Sequence, residues 1–325
     1  MARKKKSRSK SSSILTVLVF TFLAVYYALT GGESNTVDVV SSNYTSNEVV
    51  SVANESEVSG DLEIYYFDVG QADCIFVKNE DECMLIDAGN NADGKLIAKE
   101  LESLGVQKIN YLIGTHPHED HVGGLDDIIE EFDIGKIYMP KREANTATFE
   151  DILDAVSDKN LKISTPNVGD KFNVGEATCE ILSVDSDAED TNDSSIVILM
   201  TFGKTSYLFT GDIGSEIEEN VDWSDIDVLK VAHHGSKYSS SKEFLAETTP
   251  EVAVISCGRD NDYGHPHDEA VKRIENIGAE IYRTDKQGTI YIKSDGNKYD
   301  ISELDICLDG NWLMRWLRCD MLLIG

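Results

Sequence analysis

Short apolar runs bounded by turn residues alternate along this chain with stretches whose apolar residues fall three or four apart, the patterns of strands and helices in rotation. Leu62-Glu63-Ile64-Tyr65-Tyr66-Phe67 opens the series. Cys74-Ile75-Phe76-Val77 and Cys83-Met84-Leu85-Ile86 flank the polar turn Asn79-Glu80-Asp81-Glu82, which predicts a hairpin. Helical spacing governs residues 94–104 and stops at Gly105, a residue suited to the left-handed backbone that ends helices. A strand at 109–113, a helix at 122–132, a strand at 137–139 and a helix at 148–157 follow. Two apolar strands, 195–202 and 205–210, are joined by Gly203-Lys204, then come a strand at 227–232 and a helix at 270–278. The alternation predicts an α/β body over residues 61–306. With 41% hydrophobic residues and only 5 prolines, it can bury one sizeable core.

The two ends depart from that pattern. Residues 1–12 carry Arg3, Lys4, Lys5, Lys6, Arg8 and Lys10 among serines, and residues 14–29 form an uncharged apolar run. Sixteen residues lie between the core of a signal peptide and a full membrane span, and no good small-x-small cleavage site follows. We expect residues 1–30 to be a cytosolic basic tip and an uncleaved anchor, with the body outside the membrane, or secreted if the segment is removed. Residues 31–60 have no basic residue and little aromatic content, as a flexible linker would. Residues 307–325, with Trp312 and Trp316, form an atypical tail.

Charge argues against a conventional polyanion-binding surface. Six of the 29 Lys+Arg residues precede the apolar run, so the remaining chain sets 23 against 59 Asp+Glu, a net of −36. Nucleic-acid binders usually show a basic footprint. Here only metal cations and local lysines such as Lys230 and Lys237 are available to hold a phosphate. Six cysteines show no C-x-x-C pair; most lie in apolar runs and read as small buried residues, with Cys307 and Cys319 as the pair to examine for a disulfide.

The chemistry concentrates in Thr115-His116-Pro117-His118-Glu119-Asp120-His121, where three of the chain's 7 histidines stand with two carboxylates. In an extended segment His116 and His118 point the same way, and Pro117 biases the backbone away from helix. Asp120 and His121 stand at the start of the next helix, turned toward a neighbouring position, so one motif can feed two adjacent metals. Imidazole and carboxylate suit zinc, while a more oxygen-rich set suits manganese or iron, so ligand types alone leave the metal open.

His116-x-His118-x-Asp120-His121 resembles the signature of the metallo-β-lactamase superfamily. Five further phrases are similar to its ComEC-like branch, the hydrolase domain of competence DNA-uptake proteins and their free-standing relatives: Phe67-Asp68-Val69-Gly70-Gln71-Ala72-Asp73, Leu85-Ile86-Asp87-Ala88-Gly89, Leu208-Phe209-Thr210-Gly211-Asp212, Val231-Ala232-His233-His234-Gly235-Ser236 and Gly264-His265-Pro266-His267. The resemblance covers roughly residues 61–300 and implies a four-layered αββα sandwich with one or two metals along one edge.

It implies His116, His118, Asp120, His121, Asp212 and His233 as metal ligands, Asp212 bridging. His233 is preferred to His234 because adjacent strand residues face opposite ways, leaving His234 to contact substrate or support the loop. Asp87 is implied to prop the metal-binding loop, since a carboxylate behind a ligating histidine orients it and raises its basicity. Asp68, Gln71, Asp73, Asn192 and Ser194 are assigned with Asp87 and His234 to substrate or to support of the ligands. One departure stands out: no histidine occurs from residue 122 to 231, where the superfamily usually supplies another ligand, and Asn192-Asp193-Ser194-Ser195 occupies the matching place. The first metal then leans on Asn192, Asp193 or water, which brings manganese beside zinc.

Before the last helix, Asp268 is suited to capping, whereas an imidazole of His265 or His267 is suited to protonate a leaving oxygen. Both histidines are taken, with Asp120, as catalytic. Together these features predict an extracytoplasmic metal-dependent hydrolase that uses an activated water, phosphodiesterase or nuclease-like, on nucleic acid or a cell-envelope polymer. A β-lactam or other ester or amide hydrolase and a catalytically weak binding module are the alternatives. The missing histidine counts against the first and in favour of the second. The membrane, through the N-terminal helix, is the one further partner; no stable protein partner is indicated.

Overall fold

The computed structural model describes residues 58–309. The expected anchor at 1–30, most of the linker, and the tail from residue 310, Cys319 included, lie outside them. Among the described residues no helix is long and apolar enough to cross a membrane. The body reaches slightly past its expected bounds. Val58 packs into the apolar layer between the sheets, and Leu308 N donates to the Asp68 carbonyl at 2.7 Å.

Fifteen strands carry the fold: β1 (Leu62–Tyr66), β2 (Ile75–Asn79), β3 (Glu82–Ile86), β4 (Lys108–Ile113), β5 (Asp133–Tyr138), β6 (Ile163–Ser164), β7 (Lys171–Val174), β8 (Ala177–Ser183), β9 (Val197–Phe202), β10 (Thr205–Phe209), β11 (Val228–Lys230), β12 (Val252–Ile255), β13 (Glu280–Arg283), β14 (Thr289–Ser294) and β15 (Tyr299–Leu304). One sheet runs β15-β14-β1-β2-β3-β4-β5-β6 and the other β13-β12-β11-β10-β9-β8-β7. Each has an antiparallel half and a parallel half, the latter formed by β3 to β6 and by β10 to β13. The helices are α1 (Gly94–Ser103), α2 (Glu119–Val122), α3 (Leu125–Glu131), α4 (Ala147–Asp158), α5 (Ser215–Glu218), α6 (Lys242–Thr248), α7 (Asp268–Ile277) and α8 (Thr284–Gln287).

Burial separates into three apolar layers, which make the expected αββα arrangement. Ile64, Tyr66, Val77, Ile198, Phe209 and Val254 interdigitate between the two sheets. Alternate residues of the first sheet, such as Phe76 and Leu85, meet Ile97 and Leu101 of α1 and Ile128 of α3 on its outer face. Leu229 and Ala253 of the second sheet meet Phe244 of α6 and Ile274 of α7. Burying each of the larger side chains stabilises the fold by about 1.5–3 kcal/mol, and truncating one such as Phe209 to alanine costs about 3–5 kcal/mol.

The predicted β2–β3 hairpin forms with Asn79 opposite Glu82. Helix 94–104 ends as expected, with Gly105 at φ +79°. The helix expected over 122–132 is instead two pieces, α2 and α3, broken at Gly123-Gly124. A Cβ on Gly123 would stand 2.3 Å from the backbone of Asn90 and Asn91, and one on Gly124 2.5 Å from the Ala88 carbonyl. Only glycine lets this turn lie against the loop that follows β3, and that contact sets Asp120 and His121 beside Asp87. Cys74, Cys83, Cys179 and Cys257 are buried thiols, as their apolar surroundings suggested.

Candidate metal centre

The loops that leave β3, β4, β10, β11 and β12 at their carboxyl ends meet along one edge of the two sheets, the place where open α/β sheets bind ligands. Asp87 follows β3, His116 follows β4, Asp212 follows β10 and the His233-His234 pair follows β11. All seven histidines gather here. Their rings form one contiguous set through His118–His116, His116–His121, His121–His234, His234–His265 and His265–His267, with His233 against both His234 and His265.

Two groupings present ligand atoms within 4.8 Å of one another. One is His116, His121 and Asp212; the other is Asp120, His121 and His234. His121 Nε2 lies 3.3 Å from Asp212 Oδ2, and His234 Nε2 lies 3.3 Å from Asp120 Oδ2 and 3.6 Å from Asp212 Oδ2. His121 Nε2, His234 Nε2 and Asp212 Oδ1 are buried with no hydrogen-bond partner, an expensive state unless a cation completes it. The donor set therefore fits one or two divalent metals. A third grouping, Asp73, Asp87 and His121, is engaged within the protein through His121 Nδ1–Asp87 Oδ2 and Lys230 Nζ–Asp73 Oδ2, and stands behind the first two.

Asp87 holds its position firmly. Thr115 donates its N–H to Oδ1 at 2.8 Å and its hydroxyl to Oδ2 at 2.7 Å, and His121 Nδ1 lies 2.7 Å from Oδ2. That bond fixes the His121 tautomer with Nε2 toward the metal position, the role expected of Asp87. Ser195 does comparable work for His116. Its hydroxyl stands 3.3 Å from His116 Nδ1, accepts from Asp212 N at 3.0 Å and donates to the Asn192 carbonyl at 2.6 Å. Strand patterning absorbed Ser195 into an apolar run and did not mark it.

Electrostatics set the protons. Burial disfavours the His121 imidazolium, but Asp212 and Asp87 outweigh it and push the pKa well above the usual range. His234, against the same burial, is raised to about 10 by Asp212, Asp73 and Asp120. Burial and the neighbouring His121 charge drive His116 well below its usual value, so it stands neutral. Asp212 and Asp120 resist the upward push of burial because the surrounding imidazoles hold them well below the carboxylate range.

Several expectations change. His234, 1% exposed, takes the place assigned to His233, whose Nε2 reaches only Asp212 at 3.9 Å. Strand alternation does not apply, because β11 ends at Lys230 and both histidines adopt left-handed backbone, φ 51° and 53°. Gly235 continues that turn at φ +81°, and a Cβ there would stand 2.5 Å from Pro266. Lys230 cannot hold a phosphate: it is fully buried, with Nζ 2.6 Å from Asp73 Oδ2. His265 is lowered to about 4 by burial and by the neighbouring His234 and His233, so at neutral pH it stands as a neutral imidazole. The N-cap of α7 is His267, without a side-chain bond, rather than Asp268.

The remaining assigned residues are spread around this centre. His118, exposed, has Nδ1 3.1 Å from His116 Nε2. Gln71 accepts from Gly258 N at 3.0 Å and lies 3.4 Å from His265 Nδ1, tying two loops together. Asp68 bonds Thr289 and Leu308 through its backbone and belongs to the scaffold rather than the metal edge. Ser194 donates to Thr191 O, and Asn192 Oδ1 is buried without a partner beside the Ser195 that touches His116.

A model of the metallo-beta-lactamase superfamily matches residues 67–259. The chain belongs to that superfamily. Three of its relatives are ComEC-like competence proteins. ComE operon protein 3 of Bacillus subtilis (strain 168) is 30% identical over 256 residues, 72% of this chain and 33% of that protein. Recombination protein 2 of Haemophilus influenzae is 28% identical over 243 residues, 73% of this chain and 29% of its own. Competence protein ComA of Neisseria gonorrhoeae is 27% identical over 252 residues, 74% and 33%. The chain thus spans about a third of the length of these relatives. The metallo-beta-lactamase fold protein YhfI from Bacillus subtilis has a similar fold at 11% identity and TM-score 0.49, over 73% of this chain and 100% of that one.

Proposed function

We propose that this superfamily member is an extracytoplasmic, membrane-tethered phosphodiesterase that acts on nucleic acid. The observation that carries it is the convergence of three unpartnered buried ligand atoms, His121 Nε2, His234 Nε2 and Asp212 Oδ1, with Asp120, His116 and His118 beside them. A divalent metal held there supplies Lewis acidity to a phosphoryl oxygen and acidifies water. The chain's own residues orient it. Asp87 fixes His121 and Ser195 fixes His116, Asp120 and Asp212 accept protons or charge, and the half-buried His233 and His267 remain as the imidazoles that can meet a leaving oxygen.

Nucleic acid is favoured over an envelope polymer by a row of rings. Tyr263, 68% exposed, stacks on His265 at 5.7 Å and 20°, and His265 in turn stacks against His234. An exposed aromatic face in line with the metal position is what an unpaired base needs. The names of the relatives, with their competence and recombination, agree. The oxygen donors Asp120 and Asp212 suit manganese as well as zinc.

The decisive experiment assays the purified protein, loaded with zinc or manganese, on bis-p-nitrophenyl phosphate, nitrocefin and single-stranded DNA. Cleavage of the phosphodiesters without turnover of nitrocefin is expected. Nitrocefin turnover with inert phosphodiesters would reassign it as an amide hydrolase, and inertness toward all three as a binding module.

A further inference from the structure

Lys230 is a lysine where the fold has use for a leucine. It sits at the end of β11 between Leu229 and Val231, fully buried, with Nζ 2.6 Å from Asp73 Oδ2 and donating to the Val231 carbonyl at 3.0 Å. A buried ion pair rarely stabilises a fold more than apolar residues of the same volume, so stability alone does not account for it. The other contacts of Asp73 do. Its Oδ1 stands 3.4 Å from His234 Nδ1, and its Oδ2 3.9 Å from His121 Nδ1. Its N–H donates to the Asp120 carbonyl at 3.0 Å, and its own carbonyl accepts from Gly89 N at 2.9 Å. One residue therefore touches the segments that carry Asp87, Asp120, His121 and His234.

From this geometry we infer that Lys230 and Asp73 form a positioning pair for the metal centre. The carboxylate behind His234, with the Ser256 carbonyl at 3.0 Å, keeps the proton on Nδ1 and leaves Nε2 toward the metal. The Lys230 amine, 2.6 Å from Asp73 Oδ2, anchors that carboxylate in place behind His234. Lys230 also offsets charge at the site as a whole. Asp73, Asp87, Asp120 and Asp212 bring four carboxylates to one edge, and among the described residues Lys230 is the one Lys or Arg in ion-pair contact with any of them. A buried lysine in this place lets the carboxylates remain close before any metal arrives.

The inference concerns metal binding and does not depend on the substrate, so zinc affinity in the full protein tests it whether or not phosphodiesters are cleaved. Lys230→Met alone strands a buried carboxylate and is a poor probe. The double variants Lys230→Met/Asp73→Asn and Lys230→Leu/Asp73→Asn remove both charges at nearly constant volume and serve as two probes. Thermal unfolding in chelator measures the scaffold, and competition with a chromophoric chelator measures the zinc dissociation constant. The expected result is a metal-free melt close to wild type with zinc binding about 10–100-fold weaker, the range seen when partners behind metal ligands are removed. Zinc binding within about twofold of wild type in whichever variant folds overturns the inference. So does a loss of affinity that only tracks a loss of metal-free stability in both, because that assigns the pair to the scaffold.

Discussion

His234 Nε2 lies 3.3 Å from an Asp120 carboxylate oxygen, whereas the adjacent His233 reaches no carboxylate closer than 3.9 Å. Two neighbours in sequence thus face different tasks. His234→Ala is expected to lose metal, and His233→Ala to keep it while losing activity. Elemental analysis of the two variants checks this directly; equal metal content in both would return His233 to the ligand set.

Asp87 is buried and holds His121 and Thr115 together. Asp87→Asn keeps the shape and removes the charge behind His121. Metal affinity should fall about 10–100-fold, read by chelator competition, with the fold retained. Unaltered affinity would mean that Asp87 matters for the loop alone.

Metal uptake should release protons. His121 lies well above the ordinary histidine range and His234 is raised to about 10, so both are protonated in the metal-free protein at neutral pH. Raised folded-state values mean that these imidazolium–carboxylate contacts stabilise the metal-free fold fully below pH ~6.5. The contribution disappears as pH climbs through about 10 for His234. A metal must displace those protons, so its apparent affinity rises with pH over the same window. Calorimetry at pH 7 in two buffers of different ionisation enthalpy should show release of about two protons per protein molecule, one each from His121 and His234. No buffer dependence would contradict the assigned protonation.

Tyr263 separates substrates by their bases. Stacking on an exposed aromatic typically contributes about 1–3 kcal/mol per base, so Tyr263→Ala should raise KM for single-stranded DNA by ~5–150-fold. An abasic deoxyribose-phosphate oligomer should be cleaved equally by both proteins. Equal losses on the two would remove the base-stacking role.

The N-terminal expectation is tested on cells. Protease added to intact cells should degrade the body if residues 1–30 hold it outside the membrane, and complete protection would refute that topology.

How much of this was legible beforehand differs from residue to residue. The β2–β3 hairpin and α1 were readable because their polar turn and terminal glycine are local signals. His116 and Asp212 were readable because each follows an apolar strand within an ordered motif, and His121 because it belongs to the same motif as His116. His234 was misplaced because the sequence shows no sign that β11 stops at Lys230 and turns left-handed. Lys230 itself looked like a surface cation, since its partner Asp73 is 157 positions away and pairs with it only after both sheets have formed. Ser195 was hidden for the same reason: its contact to His116 crosses from one sheet to the other, while it also accepts from Asp212 N within its own sheet.

That crossing has a consequence for the life of the molecule. Asp87, His116 and His121 come from the first sheet, and Asp212 and His234 from the second. The ion is then a rivet between two halves of the sandwich, and any ångström of slippage between them is felt as a change in ligand spacing. Binding strength at this edge is also a gauge of how well the halves are seated. A lesion far from the histidines that lets the sheets drift would first be noticed as a leak of metal, well before the protein came apart.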